Sequence, residues 1–139
     1  DGIRDRRKSL VGSEMCIRDR RGATLAEAIG KAAFAMFDLM YDLSTMPATM
    51  SITFDSAAGS PSDLLVDVLS RLLLCSENDD VVFSEFRVNE AGMRATVEAA
   101  GSSAVGAELR GPPIKAVTYH DLRCEQAGPG WEIRVIFDV

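Results

Sequence analysis

The spacing of hydrophobic residues predicts two helices in the first half of the chain. Apolar residues recur three and four positions apart after Thr24 and again after Ser60, as they do on the buried face of a helix. Thr24 and Glu27 match a capping box, and we expect the first helix to end near Leu43. Ser60 followed by Pro61 is typical of the start of a second helix.

The remaining pattern predicts strands. Residues 50–55 alternate apolar and polar side chains, residues 81–88 and 93–99 flank a turn that contains glycine, and residues 114–125 and 131–139 form two longer segments. This order predicts an α+β domain in which two helices pack on one face of a mostly antiparallel sheet. The side chains expected to be buried between helices and sheet are Ile29, Met36, Leu65, Leu69, Leu72, Val117 and Ile133.

The first 21 residues differ from the rest of the chain. Residues 3–7 read Ile-Arg-Asp-Arg-Arg and recur letter for letter at residues 17–21. Residues 1–21 contain seven Lys or Arg against four Asp or Glu, whereas residues 22–139 contain eight against seventeen. We therefore expect residues 1–21 to be a non-native or disordered basic segment and residues 22–139 to form the domain.

Charge and composition limit the classes of function. Because residues 22–139 are acidic, we expect no binding to DNA, and contact with RNA only through a partner protein. No apolar run approaches the roughly 18 residues of a membrane helix, and no secretory signal is evident, which favours the cytoplasm. The three cysteines show neither close pairing nor metal-ligand spacing and are expected to be reduced thiols.

Two strings near the end of the sequence are more specific than these patterns. Residues 114–122 read Ile-Lys-Ala-Val-Thr-Tyr-His-Asp-Leu, and residues 131–139 read Trp-Glu-Ile-Arg-Val-Ile-Phe-Asp-Val. Together they resemble the C-terminal signature of the archease family. Weaker similarity at residues 24–28, 37–40 and 62–66 follows in the family's order. The resemblance covers residues 22–139.

The resemblance implies an accessory function and no reaction catalysed by the chain itself. Archeases act with the RtcB-type RNA ligase, which joins a 3′-phosphate or cyclic-phosphate RNA end to a 5′-hydroxyl end in tRNA splicing and RNA repair. That ligase uses GTP and a divalent metal, usually manganese, through a guanylated histidine of its own. The family member promotes ligase guanylation and multiple turnover.

The resemblance also implies a divalent-metal site. In the family, a divalent metal, assigned as calcium, is held by an aspartate near the N-terminus, the penultimate aspartate and the C-terminal residue; the last two correspond here to Asp138 and Val139. Adjacent carboxylates suit calcium, with manganese or magnesium as alternatives. The family's N-terminal His-Thr-Ala-Asp string is absent, and aligning Ile17 and Arg18 with the family's Ile-Arg places Glu14 near that aspartate's position.

Other readings of the C-terminal strings stay open. Strand alternation would place Lys115 and Asp121 on one face, where they could contact the partner or form a cross-strand salt bridge. The same alternation would turn His120 to the other face, as a hydrogen-bonded structural residue. A small metal-dependent hydrolase would use Asp138, Asp121 and His120, but the sequence lacks a nucleophile–base pair or a phosphate loop. A generic chaperone-like interaction module is the third alternative.

Overall fold

The computed structural model of the protein describes residues 14–139. This part of the chain contains two helices and seven strands: β1 (Glu14–Gly22), α1 (Leu25–Met40), β2 (Met50–Ala57), α2 (Pro61–Asp79), β3 (Val81–Ala91), β4 (Arg94–Ser103), β5 (Ala116–Val117), β6 (Arg123–Ala127) and β7 (Gly130–Asp138). None of the helices between residues 14 and 139 is long and apolar enough to cross a membrane.

The strands form two antiparallel sheets. In the first sheet β7 pairs with β1, β5 and β6, and in the second β4 lies between β2 and β3. Each helix contacts strands of both sheets. The predicted α+β class, with two helices and antiparallel strands, is confirmed, although the strands divide between two sheets instead of forming one.

Local sequence explains where both helices begin. The Thr24 hydroxyl accepts a hydrogen bond from the Glu27 N–H at 3.1 Å, and the Glu27 carboxylate accepts one from the Ala23 N–H at 2.7 Å, which completes the predicted capping box. At α2 the Ser60 hydroxyl accepts from the Asp63 N–H at 3.2 Å. Helix α1 ends at Met40, three residues before the predicted end.

The core lies where the helices meet the two sheets. Six of the seven residues expected there are fully buried. Val117 is half-buried, because β5 is a two-residue strand that, among the described residues, pairs with β7 alone. The largest fully buried side chains are Phe37, Phe83, Phe137, Ile29, Met36, Leu64, Leu65, Leu69, Leu72 and Ile133.

The long strand predicted over residues 114–125 is wrong between β5 and β6. Asp121 has a φ of 52°, in the left-handed region, and the Leu122 N–H donates to the Tyr119 carbonyl at 3.2 Å. These features form a turn. Asp adopts the left-handed conformation that this turn requires more readily than most residues do. The turn separates two short strands that both pair with β7.

The predicted domain boundary at Gly22 also needs correction. Strand β1 begins at Glu14 and pairs with β7, so residues 14–21 belong to the first sheet; residues 1–13 of the expected basic segment lie outside the described residues. Gly22 brings β1 close to α1, since a Cβ on Gly22 would lie 2.5 Å from the Ala28 nitrogen. The sequence pattern did not predict β1, because its charged residues resemble a basic tail. Charged residues are nevertheless common on edge strands.

Candidate functional site

Three strands meet at Asp138, the last residue of β7. Its Cα is opposite that of Glu14 in β1 and, on the other side, that of Ala116 in β5. The Lys115 N–H donates a hydrogen bond to the Asp138 carbonyl at 2.7 Å. The backbone of Asp138 is therefore held from both sides, while its side chain is exposed.

The residues around Asp138 anchor this end of β7. Val135, Ile136 and Phe137 are buried, and the half-buried Val139 packs against the core. The strand changes abruptly from core to solvent at Asp138, because Asp is the first charged residue after this apolar run. The carboxylate of Asp138 consequently lies at a strand end that water can reach, next to the half-buried Val139.

The donor chemistry at this strand end suits a divalent cation. Carboxylate oxygens are hard ligands of the kind that calcium, magnesium and manganese prefer. Among the side chains that the structure describes, those of residues 20–139, the ion pairs do not include Asp138, and no three His, Cys, Asp or Glu side chains cluster as metal ligands. Asp138 thus supplies an exposed carboxylate, and Glu14 is the residue whose backbone position is directly opposite Asp138.

Lys115 and Asp121 do not share a continuous strand face. Lys115 is exposed just before β5, and Asp121 is exposed in the turn that follows it. Among the ion pairs formed by the described residues, Asp121 takes part with His120 and Lys115 takes part in none. The predicted common face is wrong because regular alternation stops after Val117, but both side chains remain open to a partner.

The expected separation of His120 from Asp121 is also wrong. His120 Nε2 lies 3.6 Å from Asp121 Oδ2, because the turn brings together side chains that alternation would separate. Their side chains are 68% and 59% exposed, so solvent weakens this contact. His120 is therefore a surface residue instead of the hydrogen-bonded structural residue that was expected.

A contact that the sequence pattern missed holds the same turn in place. The Tyr119 hydroxyl donates a hydrogen bond to Asp63 Oδ1 at 2.7 Å, which links the turn to the first turn of α2. This hydrogen bond raises the pKa of Tyr119 above its usual value, because Asp63 favours the protonated phenol. Since the two residues are distant in the sequence, local spacing contains no signal for the contact.

Comparison with known proteins places this architecture in a family. The sequence model that describes the archease protein family matches residues 17–139, from within β1 to the residue after β7. The chain belongs to the archease family. The protein archease of Methanosarcina acetivorans is 33% identical over 129 residues, and the alignment covers 85% of each chain. That of Methanosarcina barkeri is 32% identical over 124 residues, with the same coverage.

Solved structures share the fold. The solution structure of Methanobacterium thermoautotrophicum protein 1598 gives a TM-score of 0.69 at 27% identity, covering 83% of this chain and 85% of that one. The crystal structure of an archease, described as a possible chaperone, from Thermotoga maritima gives a TM-score of 0.65 at 19% identity, covering 91% and 89%. The resemblance to the archease family that the C-terminal strings indicated is thereby confirmed.

Proposed function

We propose that this archease is an accessory protein that activates an RtcB-type RNA ligase in the cytoplasm. It promotes guanylation and multiple turnover of the ligase in tRNA splicing and RNA repair, and it reaches RNA only through that partner. Family membership supports the proposal. The observation that carries it is the meeting of Glu14, Lys115 and Asp138 at one end of the first sheet.

We further propose that the carboxylates of Asp138 and Val139 hold a divalent metal, with calcium as the first candidate and manganese or magnesium as alternatives. The two carboxylates need an opposite charge nearby, because adjacent anions repel each other. Glu14 is our candidate for the third protein ligand, because its backbone faces that of Asp138 across the β1–β7 ladder. A bound cation would supply positive charge on an otherwise acidic protein.

Lys115 and Asp121 are the proposed contacts to the ligase. Both are exposed, and the Lys115 N–H donates a hydrogen bond to the Asp138 carbonyl. A partner bound at the strand end would therefore contact both the proposed metal site and Lys115. The hydrogen bond from Tyr119 to Asp63 supports the same surface by restraining the turn that carries Asp121. This surface requires no direct binding of RNA.

The decisive experiment measures GTP-dependent guanylation of an RtcB-type ligase, with and without this protein, across a titration of calcium, manganese and magnesium. Asp138→Asn removes one charge and almost no volume, so it should keep the fold and lower stimulation by about tenfold or more. Asp79→Asn, at the exposed end of α2, is the matched control and should leave stimulation unchanged.

Two other variants separate the parts of the proposal. A C-terminal extension converts the Val139 carboxylate into a neutral amide and should lower stimulation as Asp138→Asn does. Asp121→Asn should weaken ligase binding and leave calcium binding intact, as measured by isothermal titration calorimetry. Full stimulation by the Asp138→Asn protein would exclude the metal site and leave Lys115 and Asp121 to account for the activity. Turnover of cyclic-phosphate RNA by the isolated protein would instead favour a hydrolase.

A further inference from the structure

Strand β2 has a free edge in the described part of the chain. It is an outer strand of the second sheet, and among residues 14–139 it pairs with β4 alone. The Ala58 N–H donates to the Met93 carbonyl at 3.1 Å, in the same register as the β2–β4 ladder, so the main-chain groups of the even-numbered residues of β2 point toward β4. Those of the odd-numbered residues therefore point away from the sheet.

The sequence of β2 is suited to pairing with another strand. Residues 50–57 read Met-Ser-Ile-Thr-Phe-Asp-Ser-Ala, with β-branched and aromatic residues at the centre and no Lys, Arg or Pro. Natural edge strands commonly carry Lys or Pro, which oppose such pairing. An antiparallel copy of β2 centred on Thr53 would place Asp55 opposite Ser51, so that no like charges face each other. The β2 edge would thus accept β2 of a second copy if its main chain were accessible.

Arg71 of α2 lies across this edge. Its Nη1 donates a hydrogen bond to the Asp55 carbonyl, which is one of the groups that point away from the sheet. The same guanidinium lies over the Phe54 ring, 4.5 Å from the ring centroid. A hydrogen bond from a charged donor is stronger than one between neutral groups. Arg71 consequently occupies an acceptor that an added strand would need, and its guanidinium stands where that strand would lie.

A second contact between α2 and β2 directs Arg71 to this position. Asp67, one helical turn earlier, accepts a hydrogen bond at 2.5 Å from the hydroxyl of Ser56, which is buried. Asp67 Oδ2 also lies 3.7 Å from Arg71 Nη1, with the i,i+4 spacing of a helix pair. Both side chains are more than two-fifths exposed, so this ion pair adds little stability by itself. Because Asp67 is bound to β2 through Ser56, the pair holds the guanidinium beside the strand edge.

We propose that Arg71 closes the β2 edge against strand addition, and that a second copy of this chain pairs through β2 when Arg71 is removed. The added strand is antiparallel and centred on Thr53, where its main chain replaces the guanidinium at the Asp55 carbonyl. The inference rests on contacts between α2 and β2 and does not depend on the proposed metal site or on the ligase.

The test compares the full chain with Arg71→Met, which keeps a long side chain but removes the charge and the N–H donors. Analytical ultracentrifugation over a range of concentrations measures self-association. Arg71→Met should associate more tightly than the unmodified chain by on the order of tenfold or more, because one charged hydrogen bond no longer competes with the added strand. Arg87→Met is the matched control, since it replaces an exposed arginine on β3 at the other edge of the same sheet, and it should behave like the unmodified chain.

A peptide shows whether the association uses the β2 edge. The probe is a fluorescein-labelled peptide with the sequence of residues 50–57, and its control is N-methylated at the positions of Thr53 and Asp55, which removes donors needed for pairing. Fluorescence anisotropy should show saturable binding of the probe to Arg71→Met. Binding to the unmodified chain, and binding of the N-methylated peptide, should be weaker by about tenfold or more. Adding Thr53→Pro to Arg71→Met removes an N–H that points away from the sheet and should abolish both association and peptide binding.

Several results would overturn the proposal. They are equal self-association of Arg71→Met and the unmodified chain, equal binding of the N-methylated peptide, or an equal increase for Arg87→Met, which would assign the effect to added apolar surface. Circular dichroism at low concentration checks that Arg71→Met is folded. If it is not, Arg71→Gln, which keeps a polar residue of good helix propensity, provides the same peptide test, and unchanged peptide binding by that variant would equally exclude Arg71 as the residue that closes the edge.

Discussion

Glu14 and Asp138 are directly opposite each other in the β1–β7 ladder, although they come from opposite ends of the described chain. Two acidic residues at facing positions of antiparallel strands disfavour pairing unless a cation compensates them. The register therefore gives the proposed metal a structural role in addition to its proposed role toward the ligase. It would join the first and last strands of the fold.

Calcium should stabilise the protein only when both acidic positions are intact. We expect Asp138→Asn and Glu14→Gln each to remove most of the calcium-dependent rise in Tm, because either loss leaves too few charged ligands. The double variant should be little worse than either single variant, as for residues that act on one ion. Differential scanning calorimetry with calcium and with a chelator measures this cycle. Additive losses would mean that Glu14 and Asp138 act separately.

Leu69 tests the assigned face of α2. The residue is fully buried, so Leu69→Ala should lower the free energy of unfolding by about 2–5 kcal/mol. Leu74 in the same helix is 55% exposed and provides the matched control, for which Leu74→Ala should change the value by about 0.5 kcal/mol or less. Urea denaturation followed by circular dichroism compares the two. Similar losses would contradict the face assignment.

Gly22 tests how closely β1 approaches α1. A Cβ at Gly22 would overlap the backbone of Ala28, so Gly22→Ala should destabilise the protein by about 1–3 kcal/mol. Gly59 has no atom near its hypothetical Cβ and an ordinary φ, so Gly59→Ala is the control and should be neutral or slightly stabilising. Chemical denaturation of both variants measures the difference. An unchanged Gly22→Ala protein would show that β1 lies farther from the helix.

The Cys124 thiol should react slowly with alkylating reagents in the folded protein. Burial, with a smaller effect from the nearby Glu125 charge, raises its pKa from 9.0 to about 11, which lowers the thiolate fraction near pH 8 about a hundredfold. Because the folded pKa is raised, the stability from keeping the thiol protonated is complete below pH 9 and is lost as pH rises through about 11.

The measurement is the rate of iodoacetamide labelling against pH in a Cys16→Ser, Cys75→Ser background. The rate should reach half its maximum near pH 11, whereas the same chain in urea should reach half its maximum near pH 9. Coinciding profiles for folded and unfolded chains would show that Cys124 is not shielded.

The sequence predicted those parts of the fold that depend on neighbouring residues. The capping box at Thr24, the start of α2 at Ser60 and the buried faces of both helices are encoded within a few turns, and the structure confirms them. The sheets depend on pairing between distant segments, which periodicity does not report. The turn at Asp121 escaped prediction because the hydrophobic pattern does not report a left-handed backbone conformation at a single residue.

The candidate site was predictable only in part. Asp138 and Val139 came from the resemblance of the C-terminal string, and the same resemblance placed Glu14 near the third ligand position. The pairing of Glu14 with Asp138 came only from the register of β1, whose charged sequence had suggested a tail. A chain shortened to Gly22 would lose β1, one of the strands that flank β7. The hydrogen bond from the Tyr119 hydroxyl to Asp63 could not be predicted from neighbouring residues in the sequence.

The two sheets require very different amounts of chain to be brought together. Strands β3 and β4 are joined by Gly92 and Met93, whose φ values of 59° and 64° suit a tight hairpin, so this pair can form early. Strand β7 must recruit β1 across nearly the whole described chain, and closing so long a loop costs more entropy. Substitutions in the hairpin should therefore slow folding, whereas substitutions in β7 should mainly speed unfolding. The strand end that carries Asp138 would then be among the last regions to assemble and among the first to open. An ion held there would therefore act chiefly by lowering the rate of unfolding.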